Sequence, residues 1–184
     1  MGDSYIEQSL SPNEKLVHIG RFHWIYKLQA WLSIFWGALL AIILLNLCTN
    51  MGSFIGLSPM IYEVPYDASW FVKISALHPG IKILAFLIFI FGLLKFAHMM
   101  VIMATTEIAV TTHRIILKRG LVSRYVGEMN TERIESINVM QSILGRIFDY
   151  GSLVVHGMGV GAIVTPTIAK PIVFRRAIEH SKQN

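Results

Sequence analysis

The sequence predicts a membrane protein of mixed α and β structure. Two transmembrane helices are followed by a small antiparallel β-sandwich or barrel with a C-terminal capping helix. No charged side chain occurs between Leu28 and Tyr62, and a second apolar stretch runs from Ile83 to Leu94. After Ala104 the chain changes to short alternating segments rich in arginine and lysine. Only 15% of the residues are charged, against about 25% in soluble domains.

Residues 28–48 are predicted to form the first transmembrane helix. About 20 apolar residues cross about 30 Å of hydrocarbon as a helix, and the stretch from Ala30 to Cys48 carries no charge. Trp24 and Trp31 mark one end, as expected of aromatic residues at a membrane–water interface. Cys48 is the single cysteine, so no intrachain disulfide forms, and it is expected to be a small apolar packing residue.

Residues 81–104 are predicted to form the second transmembrane helix. The apolar stretch between Lys82 and Lys95 is too short to cross a bilayer alone, so the helix must continue beyond it. This extension places Lys95 and His98 inside the membrane on one helix face, because they are three residues apart. Either Lys95 reaches back to the interface while His98 packs locally, or both contact another subunit, a lipid phosphate or a proton path.

The distribution of basic residues predicts the orientation. Three basic residues precede the first helix, ten follow the second, and residues 49–80 between them carry one. Because cytoplasmic segments carry the excess of lysine and arginine, residues 1–27 and 105–184 are expected to be cytoplasmic and 49–80 extracytoplasmic. In the outer loop, Asp67 is expected to cap a short helix that reaches Leu77 and presents one apolar face.

The N-terminal segment is read as a connection to the membrane. Ser11 to Glu14 has the composition of a turn or a helix start. From His18 to Lys27 the chain is rich in cations and aromatic side chains. This stretch is interpreted either as an interfacial segment that fixes the entry of the first helix, or as a contact surface for lipid headgroups or a partner.

From Thr106 onward the apolar residues recur with a period of two, which is typical of half-buried β-strands. Ile115 and Leu117 share one face of such a strand, and Ile116 lies on the other face between basic neighbours. A bulge is expected near Ser136, where the alternation breaks. The predicted strands lie around Ile108–Val110, Ile115–Leu117, Val122–Met129, Arg133–Val139, Gly151–Gly157 and Ala162–Thr167.

Two helical segments complete the predicted module. One or two helical turns are expected over Gln141–Phe148, and a closing helix over Pro171–His180, since proline suits the first turn of a helix. The glycines from Gly157 to Gly161 are interpreted as a strand-connecting turn, because strand-like residues follow them where a dinucleotide loop requires a helix. The strands do not alternate with long helices, so an antiparallel arrangement is favoured.

Two motifs in this module resemble a known family. The pattern T-x-x-R-I-I-x-(K/R)-x-G-L starts at Thr111, and R-I-(x)3-N-V-x-Q-S-(x)2-G-R-(x)3-Y-G starts at Arg133. They resemble the bacterial pleckstrin-homology-like (PH-like) domains of YdbS-like membrane proteins with two transmembrane helices. The resemblance covers roughly residues 105–180, and Glu14 to Trp24 is similar to the family's N-terminal lead-in. It implies a PH-like split β-barrel in a bacterial inner-membrane protein, and it implies no catalytic activity.

The residues themselves indicate no catalytic or cofactor site. The motifs G-x-x-x-x-G-K-[ST], H-E-x-x-H and G-x-S-x-G are absent from the sequence. The histidines are scattered without ligand spacing, so no metal site is expected. Nucleic-acid binding is not expected either, because a positive net charge without interleaved aromatic residues does not indicate it. An enzyme or a transporter is therefore the least favoured class.

Basic residues dominate the predicted cytoplasmic module, with ten against six acidic residues. An anionic membrane surface attracts nearby cations, and in PH domains the turn between the first strands holds phosphate groups, as the resemblance implies. The alternative is a solvated face that only reflects the orientation bias. The candidate contact residues for an anionic lipid or a protein partner are Lys95, His98, His113, Arg114, Lys118, Arg119 and Arg124.

The sequence therefore favours a non-enzymatic inner-membrane protein that acts as an accessory or assembly factor. Its cytoplasmic module is expected to bind protein partners, anionic lipid headgroups, or both. The alternative is a structural subunit of a larger membrane complex, formed with another membrane protein or with further copies of the chain. Small and aromatic residues beside the predicted spans, including Trp36, Gly37 and Gly92, suit helix–helix contact.

Overall fold

The computed structural model describes residues 5–51, 65, 67–120, 125–159 and 161–183. The chain divides into two compact units, one formed by both ends of the chain (1–27 and 100–184) and one by residues 28–99. In chain order the elements are α1 (Tyr5–Ser9), β1 (Leu16–Gly20), α2 (Trp24–Met51), α3 (Trp70–Ser75), α4 (Pro79–Thr105), β2 (Glu107–Thr111), β3 (Arg114–Arg119), β4 (Tyr125–Asn130), a 3-10 turn (Thr131–Arg133), β5 (Ile134–Met140), α5 (Ile143–Ile147), β6 (Tyr150–Gly157), β7 (Gly161–Val164), β8 (Ile168–Ala169) and α6 (Pro171–Ser181).

Helices α2 and α4 are the two predicted membrane spans. They contain 28 and 27 residues, more than the roughly 20 that a bilayer requires. In the most apolar 18-residue segment of each helix, the buried share is only 22% in α2 and 6% in α4. A core helix of a soluble protein would be mostly buried. These two helices indicate a membrane protein. The predicted continuation past Lys95 is confirmed, because α4 runs without interruption to Thr105.

Small residues bring α2 and α4 into close contact. Gly37 and Gly92 face each other so closely that a Cβ atom added at Gly92 would lie 3.0 Å from the Cα of Gly37. The Ser33 hydroxyl lies 2.7 Å from the Ala30 carbonyl oxygen and 3.2 Å from that of Gly92, so it can donate to either backbone. Such contacts are the usual basis of helix association in lipid, where hydrophobic burial adds little.

The outer part of this unit carries the short helix α3. It begins at Trp70, so the cap position falls on Ser69, whose side chain makes no capping hydrogen bond. The predicted cap at Asp67 is therefore wrong, because the helix starts later than the sequence suggested. Leu77 is buried against Cys48 and Ile81, which confirms Cys48 as an apolar packing residue.

The N-terminal segment belongs to the β-module. Strand β1, which precedes the first membrane helix, pairs antiparallel with β2, which follows the second, and the sheet order is β1-β2-β3-β4. The module therefore does not start at residue 105 as predicted, because its edge strand comes from residues 16–20. The pairing requires residues 16–20 and 107–111 to lie on the same side of a membrane spanned by α2 and α4.

Helix α1 covers the outer face of this first sheet. Ile6, Ala109 and Ile116 are all buried. Tyr5 stacks under the Lys118 ammonium group at 5.1 Å. The alternation within β3 is thus correct, but both of its faces are covered.

The second sheet is built from the later strands of the chain. Strands β5, β6 and β7 pair in sequence, and β8 pairs with β6. The expected bulge is confirmed by a register shift between Ile134 and Ser136. The turn from Gly157 to Gly161 connects β6 to β7, and Gly159 and Gly161 have positive φ angles, which glycine adopts without strain. The core between the sheets and α6 contains Ile108, Val110, Ile115, Leu117, Met129, Ile134, Leu153, Val155, Ile163, Ile168, Phe174 and Ile178.

The antiparallel strands give the module two distinct ends. We call the end with Gly20 and Glu107 the junction end, since the chain passes there into α2 and out of α4. The far end carries the β2–β3 turn after Thr111. Strand β2 has five residues, which at about 3.3 Å per residue separates the two ends by roughly 16 Å. The paired residues Arg119 of β3 and Tyr125 of β4 lie at the junction end, as does α5, because Phe148 contacts Trp24.

Candidate binding cleft

An open polar cleft of about 430 Å³ lies at the far end of the module. Its walls come from four segments, which backbone and side-chain hydrogen bonds tie together. The Thr112 N–H donates to the Lys15 carbonyl at 3.0 Å, and the Thr131 N–H donates to that of His113 at 2.9 Å. The end of α6 closes the cleft through Lys182, whose ammonium donates to the Ile134 carbonyl at 2.8 Å.

A buried carboxylate organises the floor of the cleft. The Glu14 side chain is only 2% exposed. It accepts hydrogen bonds from the Thr111 hydroxyl at 2.6 Å, from Arg114 Nε and Nη2 at 2.9 Å, and from the Ser11 N–H at 3.0 Å. Burial alone would raise its pKa, but the hydrogen bonds from Thr111, Arg114 and Ser11 outweigh burial and lower the pKa to about 2. Glu14 is therefore ionised and fixed in place.

Arg114 links the N-terminal segment to β3 and β4. Besides Glu14, it donates from Nη1 to Glu128 at 2.7 Å and from Nη2 to the Ser9 carbonyl at 2.7 Å. The hydrogen bond with Glu14 raises the pKa of Arg114 further, against the effect of burial. Two carboxylates thus compensate this guanidinium, and it serves as an internal tie between segments.

The predicted contact residues fall into three places. His113 and Arg114 line the far-end cleft, with His113 exposed. Lys118 and Arg119 lie at the junction end, where Lys118 pairs with Glu107 at 2.9 Å and Arg119 donates to the Val164 carbonyl at 2.6 Å. Lys95 and His98 are exposed on α4 in the membrane unit. Arg124 lies outside the described residues.

Sequence reasoning missed Glu14 as a site residue. It lies 100 positions before Arg114, so no spacing pattern links the two. The one feature of the sequence that could have indicated Glu14 is its position as the first residue of the segment, Glu14 to Trp24, that is similar to the N-terminal segment of the family. Among the described residues, no group of three or more histidine, cysteine, aspartate or glutamate side chains lies close enough to hold a metal.

The fold and the cleft define a membrane-anchored β-module that both termini build. The family model described as Bacterial PH domain matches residues 39–181, and the chain belongs to the bacterial PH domain family. The matched range covers the second half of α2, all of α4 and the strands from β2 onward, while β1 and Glu14 precede it. No curated protein and no solved structure matches the chain. PH domains are generally non-catalytic binding modules, so membership indicates a binding or accessory role.

Proposed function

We propose that the protein is a non-enzymatic inner-membrane accessory factor whose cytoplasmic module binds a polar segment of a partner protein in the far-end cleft. The observation that carries this proposal is the mixed, nearly balanced lining of the cleft. His113 and Lys182 face it together with Glu132, and Arg114 is already paired. Hydroxyl and amide side chains complete the lining, namely those of Ser11, Asn13, Thr112, Asn130 and Thr131.

This lining favours a polypeptide over a phosphate-bearing headgroup. A headgroup site concentrates unpaired cations, whereas Glu14 and Glu128 compensate Arg114. A polypeptide offers both donors and acceptors, which suits a lining of both kinds. The cleft also lies at the far end of the module, opposite the end that carries Gly20 and Glu107.

The cytoplasmic location rests on charge. Basic residues are concentrated in the two terminal segments, and the pairing of β1 with β2 places both segments in one compartment. The excess of lysine and arginine marks that compartment as the cytoplasm. In a bacterial protein of this kind the membrane is then the inner membrane.

Site-specific photocrosslinking in native membranes tests the cleft. Benzoylphenylalanine at His113 should give a protein adduct of defined mass, because this side chain is exposed in the cleft. The same probe at Asn138, exposed on β5, serves as the matched control and should give none. Glu132→Lys should lower the His113 yield several-fold, whereas Glu135→Lys should not. Equal adducts at both probes, or none at His113, would refute the proposal.

A second candidate function, a structural subunit of a larger membrane complex, is favoured by Lys95. This residue borders a groove of about 650 Å³ between α2 and α4, together with Gln29 and Ser33. Its ammonium makes no hydrogen bond or ion pair with any described residue. An intramembrane cation usually finds a partner group, and a neighbouring subunit can supply one.

Native sizing after gentle detergent extraction tests this second function. The wild-type protein should migrate as a complex, and Lys95→Leu should shift it towards the monomer. Lys82→Leu, at the outer end of the same helix, is the matched control and should leave the size unchanged. A monomeric wild-type protein, or an unchanged Lys95→Leu complex, would count against a structural subunit.

A further inference from the structure

Helix α5 exposes its apolar side chains. Ile143 is 81% exposed and Ile147 is 69% exposed, and Leu144 and Phe148 are exposed as well. A cluster of this kind on a surface marks an interaction site. We call these four residues, with Trp24, the α5 patch.

The local structure holds this cluster outward. The Ser142 hydroxyl caps α5 by accepting from the Gly145 N–H at 3.0 Å. The Gln141 amide lies 3.2 Å from the carbonyl oxygens of both Gly145 and Tyr150, to which it donates. Gly145 is buried, and a Cβ atom there would lie 2.6 Å from the Tyr150 carbonyl oxygen. Backbone groups of this segment are thus hydrogen-bonded on the side of α5 that packs on the module. The apolar side chains face away from the module.

Ring contacts fix the α5 patch next to the first residue of a membrane helix. Trp24 begins α2, and its ring lies edge-on to Phe148 at 6.1 Å between centroids. His23 stacks on Tyr150 at 5.2 Å. Tryptophan at the start of a transmembrane helix lies at the membrane–water interface, so Phe148 lies close to the same level.

Exposed cations accompany the patch. Arg146 lies on α5 itself and makes no ion pair with any described residue. Lys170 is held next to the turn after α5, because its backbone N–H donates to the Asp149 carbonyl at 2.9 Å. Arg21 is tied to the same corner, since its carbonyl accepts from the Ala169 N–H at 2.9 Å. Apolar side chains flanked by unpaired cations match a leaflet that contains anionic lipid.

We propose that the α5 patch is a membrane wedge. Its apolar side chains enter the interfacial layer of the cytoplasmic leaflet, and Arg146 and Lys170 contact the phosphates of anionic lipids. This wedge holds the module on the bilayer surface at the junction end and leaves the far-end cleft free. The inference does not depend on what the cleft binds.

Fluorescence quenching of the full-length protein in nanodiscs tests the wedge. In a Cys48→Ala background, a polarity-sensitive dye is attached at Ile147→Cys, or at Met158→Cys as control. Met158 is also an exposed apolar residue, but it lies at the far end of the module. The dye at 147 should be quenched by doxyl-labelled lipid and should be several-fold less accessible to iodide than the dye at 158.

Lipid composition provides the second arm of this experiment. Nanodiscs of phosphatidylcholine alone are compared with nanodiscs that also contain phosphatidylglycerol. Lipid quenching at 147 should be stronger with phosphatidylglycerol, and Arg146→Glu should remove that increase. Equal iodide access at 147 and 158 would overturn the proposal. Shielding of 147 without lipid quenching would also overturn it, because a second copy of the chain then covers the patch.

Discussion

Gly92→Ala should loosen the contact between the two membrane helices and destabilise their packing by about 1–3 kcal/mol. A Cβ atom at this position would lie 2.6 Å from the Ser33 carbonyl oxygen and 3.0 Å from the Cα of Gly37. Both neighbours are backbone atoms, so neither can rotate away as a side chain would. The helices must separate, and the Ser33 hydroxyl then loses the Gly92 carbonyl as a partner.

Chemical crosslinking between facing positions measures this separation. The rings of Trp31 and Phe96 lie 5.0 Å apart across the two helices. A short bis-maleimide should join cysteines placed at these two positions, in a Cys48→Ala background, in native membranes. Gly92→Ala should lower the yield sharply. Gly80→Ala is the matched control, because its Cβ atom meets only the His78 ring, at 3.1 Å, and an undiminished yield in Gly92→Ala would contradict the prediction.

Glu14→Ala should destabilise the β-module by about 3–5 kcal/mol, the usual effect of removing one partner of a buried ion pair. The change leaves the Thr111 hydroxyl and the Ser11 N–H without this acceptor, and Arg114 with only Glu128 as a charged partner. Hydrogen exchange of the β1 and β2 amides measures the loss. The control is Glu128→Gln, which removes the more exposed partner of Arg114 and should have an effect below about 1 kcal/mol.

The same carboxylate should make stability depend on pH. The pKa of Glu14 is lowered from 4.5 to about 2 in the folded protein, which corresponds to about 3 kcal/mol at roughly 1.4 kcal/mol per pKa unit. Between these values the unfolded chain binds more protons, so stability rises with pH. The contribution is complete above about pH 4.5 and is lost as the pH falls towards 2. Subtracting the pH profile of Glu14→Gln isolates it, and identical slopes in both proteins would contradict this assignment.

Most of the module could be predicted from local pattern. The period of two located strands β2 to β7 but not the two-residue strand β8, and the broken alternation near Ser136 located the bulge. Strand β1 could not be found this way, because its five residues are short and two membrane helices separate it from its partner. The burial of Ile116 could not be predicted for a related reason, since the helix that covers it lies more than a hundred residues earlier.

The candidate site was predicted in part. The basic residues after Thr111 were recognised as candidate contact residues. Whether each cation is paired with a carboxylate depends on partners that the sequence pattern does not show. Arg114 and Lys118 look like free cations in the sequence, and they are paired with Glu14 and Glu107 in the structure. The α5 residues were assigned to helical turns, and their exposure became visible only once the positions of Gly145 and Trp24 were known.

The N-terminal edge strand also has a consequence for biogenesis. Strand β1 is synthesised before either membrane helix, and its partner β2 only after both. The sheet therefore closes only after both helices have been synthesised, and only if the segments before α2 and after α4 lie in one compartment. A chain inserted with one span inverted would keep β1 and β2 on opposite sides of the bilayer, with the edge of β2 unpaired. Closure of the sheet is therefore compatible only with an insertion that places β1 and β2 on the same side of the bilayer.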